Sequence, residues 1–128
     1  MKEILKISSK THHAVMMVCF LAGYKAKSAA PTTLISKYLK LSQRYLEQVA
    51  KQLKKAGIIE SYRGSAGGYR LKNKNVSMLE IIEAVEGPIR ILHCVGGACN
   101  IRHKCPSKDI WPKMQKEIIK SLSNIKIV

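Results

Sequence analysis

The chain has 128 residues, 46% of them hydrophobic, enough for one compact core and too few for two independent domains of ordinary size. Twenty-three Lys and Arg against eight Asp and Glu give a formal charge of +15, a positive field that draws polyanions, nucleic acid first among them. An anionic membrane would feel the same field, but no stretch approaches the roughly 18 uninterrupted apolar residues that span a bilayer, so no membrane partner is expected.

At the start of the chain, Lys2, Lys6 and Lys10 precede an apolar run over 14–23 and then Ser28-Ala29-Ala30, a pattern similar to a secretory signal. Cleavage near Ala30 would remove a helix that the rest of the fold needs, so a cytoplasmic location is expected instead. In that reducing compartment a tight cysteine cluster reads as metal-binding or redox-sensing rather than as a disulfide framework.

The residues 9–23 are apolar on nearly every face of a helix, with Val15, Val18, Cys19 and Ala22 three and four apart, which predicts a buried helix with Cys19 as a small core residue. After Ala29 and Pro31, Thr32 or Thr33 is positioned to cap a short helix carrying Leu34, Ile35 and Leu39. Ser42 is the expected N-cap of a further helix over 42–56, stopped by Gly57. One face of that helix carries Leu46, Val49, Ala50 and Leu53, and another carries Arg44, Gln48, Lys51 and Lys55.

Two short strands are expected at 58–63 and 69–72, joined by Gly64-Ser65-Ala66-Gly67-Gly68 in a tight hairpin, or wing. Ser77 and Glu80 have capping-box spacing ahead of a helix over 77–85, which Gly87-Pro88 ends. A glycine- and cysteine-rich loop over 94–105 leads to a last helix starting near Asp109. Its stripe of Ile110, Met114, Ile118, Leu122 and Ile125 is too long for a small monomer to cover easily and is expected to be a dimer seam; the alternative is that it closes the monomer core. The fold class is therefore mainly α with a small β-hairpin: a winged helix-turn-helix region over 1–75, then a cysteine loop and dimerisation helix over 76–128, all one compact domain in an intertwined homodimer.

A winged helix-turn-helix sends its second helix into the major groove while the wing approaches the backbone or the minor groove. Ser42, Gln43, Arg44, Glu47 and Gln48 lie at the end of the 42–56 helix that would reach base edges. Arg pairs with guanine and Gln with adenine, whereas Lys51, Lys54 and Lys55 suit phosphates. Glu47 is useful in a basic groove only if it accepts from cytosine or steers a neighbour; otherwise it is an intrahelical partner of Lys51. Arg63 and Ser65 complete the expected contacts at the wing. The expected partner is a double-stranded, roughly palindromic operator, because a two-fold dimer presents two such helices one helical turn apart.

The pattern Cys94-x4-Cys99-x5-Cys105 gathers three thiolate donors, with Gly96 and Gly97 letting the backbone fold around a metal. Three cysteines cannot close a four-ligand site alone. Iron–sulfur and zinc both accept thiolates, the spacing does not choose between them, and a disulfide with a spare thiol is the remaining possibility. His93 and His103 read as ordinary loop side chains, although either could complete a zinc site. An enzyme is the weakest reading: there is no Walker-type loop or nucleophile elbow, and His12, His13, His93 and His103 have no recognisable catalytic spacing.

Six segments together resemble the winged-helix iron–sulfur transcription regulators, the family of IscR, NsrR and RirA. They are Lys6-Ile7-Ser8-Ser9-Lys10, Tyr45-Leu46-Glu47-Gln48, Leu53-Lys54-Lys55-Ala56-Gly57-Ile58-Ile59, Arg63-Gly64-Ser65-Ala66-Gly67-Gly68-Tyr69, Glu83-Ala84-Val85-Glu86-Gly87-Pro88, and the three cysteines followed by Trp111. The resemblance implies a symmetric dimer through the last helix, operator binding, and a [2Fe-2S] or [4Fe-4S] cluster whose presence or integrity changes DNA affinity, with zinc as the alternative metal. Cys94, Cys99 and Cys105 would be ligands. Two departures stand out. The first cysteine gap is one residue shorter than in the cluster-assembly regulators, and Lys108 occupies the place of their histidine ligand, three residues beyond the last cysteine. His12 falls where the nitric-oxide-sensing relatives carry an aspartate ligand contributed across the dimer, which implies His12 of the partner subunit as the fourth ligand.

Overall fold

The computed structural model describes every residue except Met1, Glu3, Ile4, Ala66, Ala98, Cys99, Arg102 and Val128. Its described residues form five helices and one two-stranded antiparallel sheet, the expected fold class. The first helix, α1 (Ser9–Gly23), begins where the Ser8 hydroxyl accepts from the Thr11 N–H, satisfying one of the unpaired donors of a helix start. It buries Thr11, Ala14, Met17, Val18 and Leu21 along one side, but it is not buried all round, because Cys19 is exposed. Cys19 is thus no core residue. The apolar pattern on every face hides which stripe packs, and the neighbours alone decide it.

The second helix, α2 (Thr32–Leu39), starts from Pro31 rather than from a threonine cap; no side chain caps it, and Thr32 is already its first helical residue. Proline's fixed φ and missing N–H suit the edge of a helix without a capping side chain. Lys40, in the left-handed region at φ 58°, closes α2 and turns the chain toward α3 (Gln43–Lys55). As expected, Ser42 caps α3 by accepting from the Tyr45 N–H, and Leu46, Val49, Ala50 and Leu53 are buried.

The strands are shorter than their apolar pattern suggested: β1 (Ile59–Tyr62) pairs with β2 (Gly68–Leu71), with Ile59 opposite Leu71 and Tyr62 opposite Gly68. Ile58 instead serves the loop, its carbonyl accepting from both Lys72 and Asn73. Ala30 joins the sheet by a two-way backbone bridge to Tyr69 at 2.8 and 2.9 Å. That approach requires glycine at 68, where φ is +147° and an added Cβ would stand 2.0 Å from the Ala30 carbonyl oxygen.

The fourth helix, α4 (Met78–Glu86), carries the complete capping box of Ser77 and Glu80. The last, α5 (Ile110–Asn124), packs on α4, and the chain after it returns to pair Ser77 with Lys126. The core gathers Met17, Val18, Ile35, Leu46, Leu53, Ile58, Ile59 and Ile81 from α1 to α4 and the sheet. No residue of α5 is fully buried: of the five-residue stripe, Ile118 and Leu122 are half-buried and line a cavity with Ile82 of α4, whereas Ile110, Met114 and, just beyond the end of the helix, Ile125 remain 60%, 41% and 51% exposed. Among the described residues no helix is long and apolar enough to cross a membrane.

Candidate functional site

Three groups of side chains carry the chemistry. The first lies on α3 and the wing. Burial of Leu46, Val49, Ala50 and Leu53 turns Gln43, Arg44, Glu47, Gln48, Lys51, Lys54 and Lys55 to solvent, together with the Ser42 cap. Arg63 and Ser65 are exposed in the hairpin turn, which Gly67 tightens by donating to the Gly64 carbonyl. Glu47 stands close enough to the Tyr69 hydroxyl to help raise its pKa, after burial as the larger cause, while a hydrogen bond with Thr32 acts the other way. One tyrosine of the wing thereby meets the first residue of α2 and the exposed side of α3.

The second group is the first turn of α1. Glu86, the last residue of α4, accepts from the hydroxyls of Ser8 and Thr11, the latter at 2.9 Å, and these bonds hold its carboxyl below the usual carboxylate range, with the Lys10 charge adding a smaller pull. On the far side of the same turn, His13 Nδ1 lies 2.8 Å from the Tyr45 hydroxyl, and the two rings meet edge to face. His12, between these contacts, is exposed, its ring 5.8 Å from that of His13. Local spacing could not reveal these ties, because their partners are 32 to 78 residues apart.

The third group is the cysteine loop. Cys94 and Cys105 line one cavity of about 210 Å³ with Val95, Ser107, Lys108, Trp111 and Pro112, and both are free thiols. Cys99 lies outside the described residues. The Ser107 hydroxyl is 3.4 Å from the Cys105 sulfur and accepts from the Trp111 indole N–H at 3.1 Å, which leaves its own proton free to point at the sulfur. The Ser107 hydroxyl and then its backbone N–H lower the Cys105 thiol pKa, against a smaller opposing effect of burial and with the Lys108 charge adding the smallest pull. Lys108 itself donates to the His103 carbonyl at 3.4 Å. His103 lines a neighbouring cleft with Lys108, Asp109 and Pro112 rather than the cysteine cavity, and His12 of the same chain does not line that cavity either. Ser107 and Trp111 are the residues that the cysteine pattern alone did not single out.

Cys94 and Cys105 thus bring two free thiols, donors of the kind soft metals take, to one small cavity, while among the described residues no third His, Cys, Asp or Glu joins them in a metal-holding group.

A family model described as Rrf2, iron-dependent transcriptional regulator, matches residues 7–128. The chain is 34% identical over 124 residues to the HTH-type transcriptional regulator IscR of Vibrio vulnificus, a match covering 94% of this chain and 74% of that protein. Among solved structures, IscR of T. potens superposes with a TM-score of 0.71 at 30% identity, covering 96% of this chain and 83% of that one. CymR, the global cysteine regulator of B. subtilis, does so with a TM-score of 0.72 at 25% identity, over 96% and 93% of the two chains.

Proposed function

The chain belongs to the Rrf2 family of helix-turn-helix transcriptional regulators, and from that premise we propose that it is a cytoplasmic homodimer that reads a palindromic operator and senses its signal through an iron–sulfur cluster. The observation that supports the sensing half is the shared cavity of Cys94 and Cys105, both free thiols. Cys94, Cys99 and Cys105 would hold the cluster, of the [2Fe-2S] or [4Fe-4S] type, with His12 of the partner subunit as fourth ligand. When bound, the cluster supplies a centre whose oxidation state and integrity respond to oxidants, nitric oxide and iron supply.

The rest follows from this chain's own residues. In the proposed complex α3 lies in the major groove, Arg44 pairs with guanine, Gln43 and Gln48 contact adenine, and Lys51 and Lys55 meet phosphates, while Arg63 and Ser65 contact the duplex from the wing. The exposed stripe Ile110, Met114 and Ile125 gives two copies of α5 an apolar surface to share. Residues 1–75 then act as the reading part and 76–128 as the sensing and dimerising part of one compact unit. The first turn of α1 joins the two, bonded to Glu86 ahead of the cysteine loop and to Tyr45 at the head of α3.

Protein purified without oxygen should contain iron and acid-labile sulfide in similar amounts and absorb in the visible. Stoichiometric zinc without sulfide would replace this reading with a zinc-stabilised DNA-binding protein.

A further inference from the structure

The segment 24–28 runs beside β2 and encloses with it a cleft of about 460 Å³. Leu21 and Leu71 are buried beneath it, whereas Lys25, Lys27, Arg70 and Lys74 are exposed around it, and no carboxylate is among its lining residues. Cations gathered in this way repel one another and favour an anion between them. The contacts assigned to α3 and the wing turn use none of the four.

Three features fix how this cleft is placed. The two-way bridge between Ala30 and Tyr69, two residues beyond the segment, fastens the chain there to the returning strand of the wing. Arg70 donates to the Lys27 carbonyl and sits 5.6 Å over the Tyr62 ring, which holds its charge in place. Glu60, opposite Arg70 in the sheet, accepts from the Tyr62 hydroxyl at 2.7 Å. Finally, Tyr69 lines the cleft, and Thr32 at the start of α2 and Glu47 of α3 are near enough to act on the pKa of its hydroxyl. One residue of the cleft's lining, Tyr69, thus lies within electrostatic reach of the exposed face of α3.

We infer that this cleft is a second DNA-contact surface, taking the phosphodiester backbone beyond the bases that α3 reads. The inference rests on the DNA-binding reading above and not on the cysteine loop. Its charges suit a linear polyanion better than a small one: three of the four are lysine point charges on long stems, and the guanidinium, the one fork that would grip a small anion, is engaged by a carbonyl and a ring.

The test compares the full chain with Lys25→Ala/Lys27→Ala/Lys74→Ala, leaving Arg70 in place. Binding is measured against salt with a duplex that the wild type selects from a random pool and with a random duplex of equal length. Each phosphate contact contributes about 0.9 to the slope of log affinity against log salt, so the triple variant should lose about 2.7 units per bound subunit. Its preference for the selected duplex should stay within about twofold of wild type, because phosphate contacts carry no sequence information. The charge-matched control Lys116→Ala/Lys120→Ala/Lys126→Ala should change the slope by less than about 1 unit. Equal slopes for wild type and the first triple would overturn the inference. It would also be overturned if inorganic tripolyphosphate bound wild type but not that variant while the slopes stayed equal, since the cleft would then serve a small anion. Failure of wild type to bind any duplex would be a failure of the DNA-binding reading itself.

Discussion

His13 Nδ1 lies 2.8 Å from the Tyr45 hydroxyl, and this one contact spans from the first turn of α1 to the first turn of α3. Both side chains are partly buried, so their hydrogen bond is shielded from full competition with water. His13→Ala and Tyr45→Phe should each lower stability modestly, and together by less than the sum of their separate effects. The coupling expected in urea unfolding is about 0.5–1.5 kcal/mol. Strict additivity would show that the pair does not act as a unit.

Glu86 makes the matching tie at the other side of that turn. Its folded pKa is depressed, first by the Ser8 hydroxyl and then by that of Thr11, so the stability it contributes is present above its unfolded pKa. That contribution is lost as pH falls through the folded value. The melting temperature of wild type should therefore drop more steeply than that of Glu86→Gln as pH is lowered from neutrality through and below the carboxylate range. Parallel profiles would remove Glu86 from the account.

On α3, Arg44→Ala should reduce discrimination between the selected operator and random DNA more than Lys55→Ala does. Lys55→Ala should instead weaken binding to both duplexes and flatten the salt dependence by about 1 unit. Equal loss of specificity from the two substitutions would count against the assigned roles.

In the loop, replacing Cys94, Cys99 or Cys105 with Ala should abolish or severely reduce visible absorption, while Cys19→Ala should leave it intact, since Cys19 lies in α1 and does not line the cysteine cavity. The fourth ligand is tested by mixing His12→Ala subunits with subunits lacking all three loop cysteines. The mixed dimer holds one site with three cysteines and an intact His12 across the interface, so wild-type absorption at about half occupancy is expected if ligation crosses between chains. A cluster formed only when His12 and the cysteines share a chain would exclude it.

Much of the architecture is local and could be read from spacing. The Ser77 and Glu80 capping box, the Ser42 cap and the buried face of α3 each depend on residues a turn or two apart. What could not be read depends on distant neighbours. Cys19 shares the apolar pattern of α1, and only the side from which α3 and α4 approach leaves it exposed. Thr32 has a capping side chain, yet the helix starts one residue too early for it to act as the cap. In the candidate site, the solvent-facing residues of α3 and the cysteine spacing were legible. The Ser107 and Trp111 hydrogen bonds, the clasp of Glu86 and the basic cleft were not, because each is assembled by tertiary folding.

In the proposed regulator, the state of the cysteine loop sets DNA affinity. The most direct measurement titrates the selected operator with protein purified without oxygen, before and after its cluster is removed by a chelator and oxidant, with dimer content checked in both samples. A change in affinity of tenfold or more, about 1.4 kcal/mol of coupling, is expected, together with loss of that change in Cys105→Ala. Equal affinity of the loaded and stripped dimers would contradict the account.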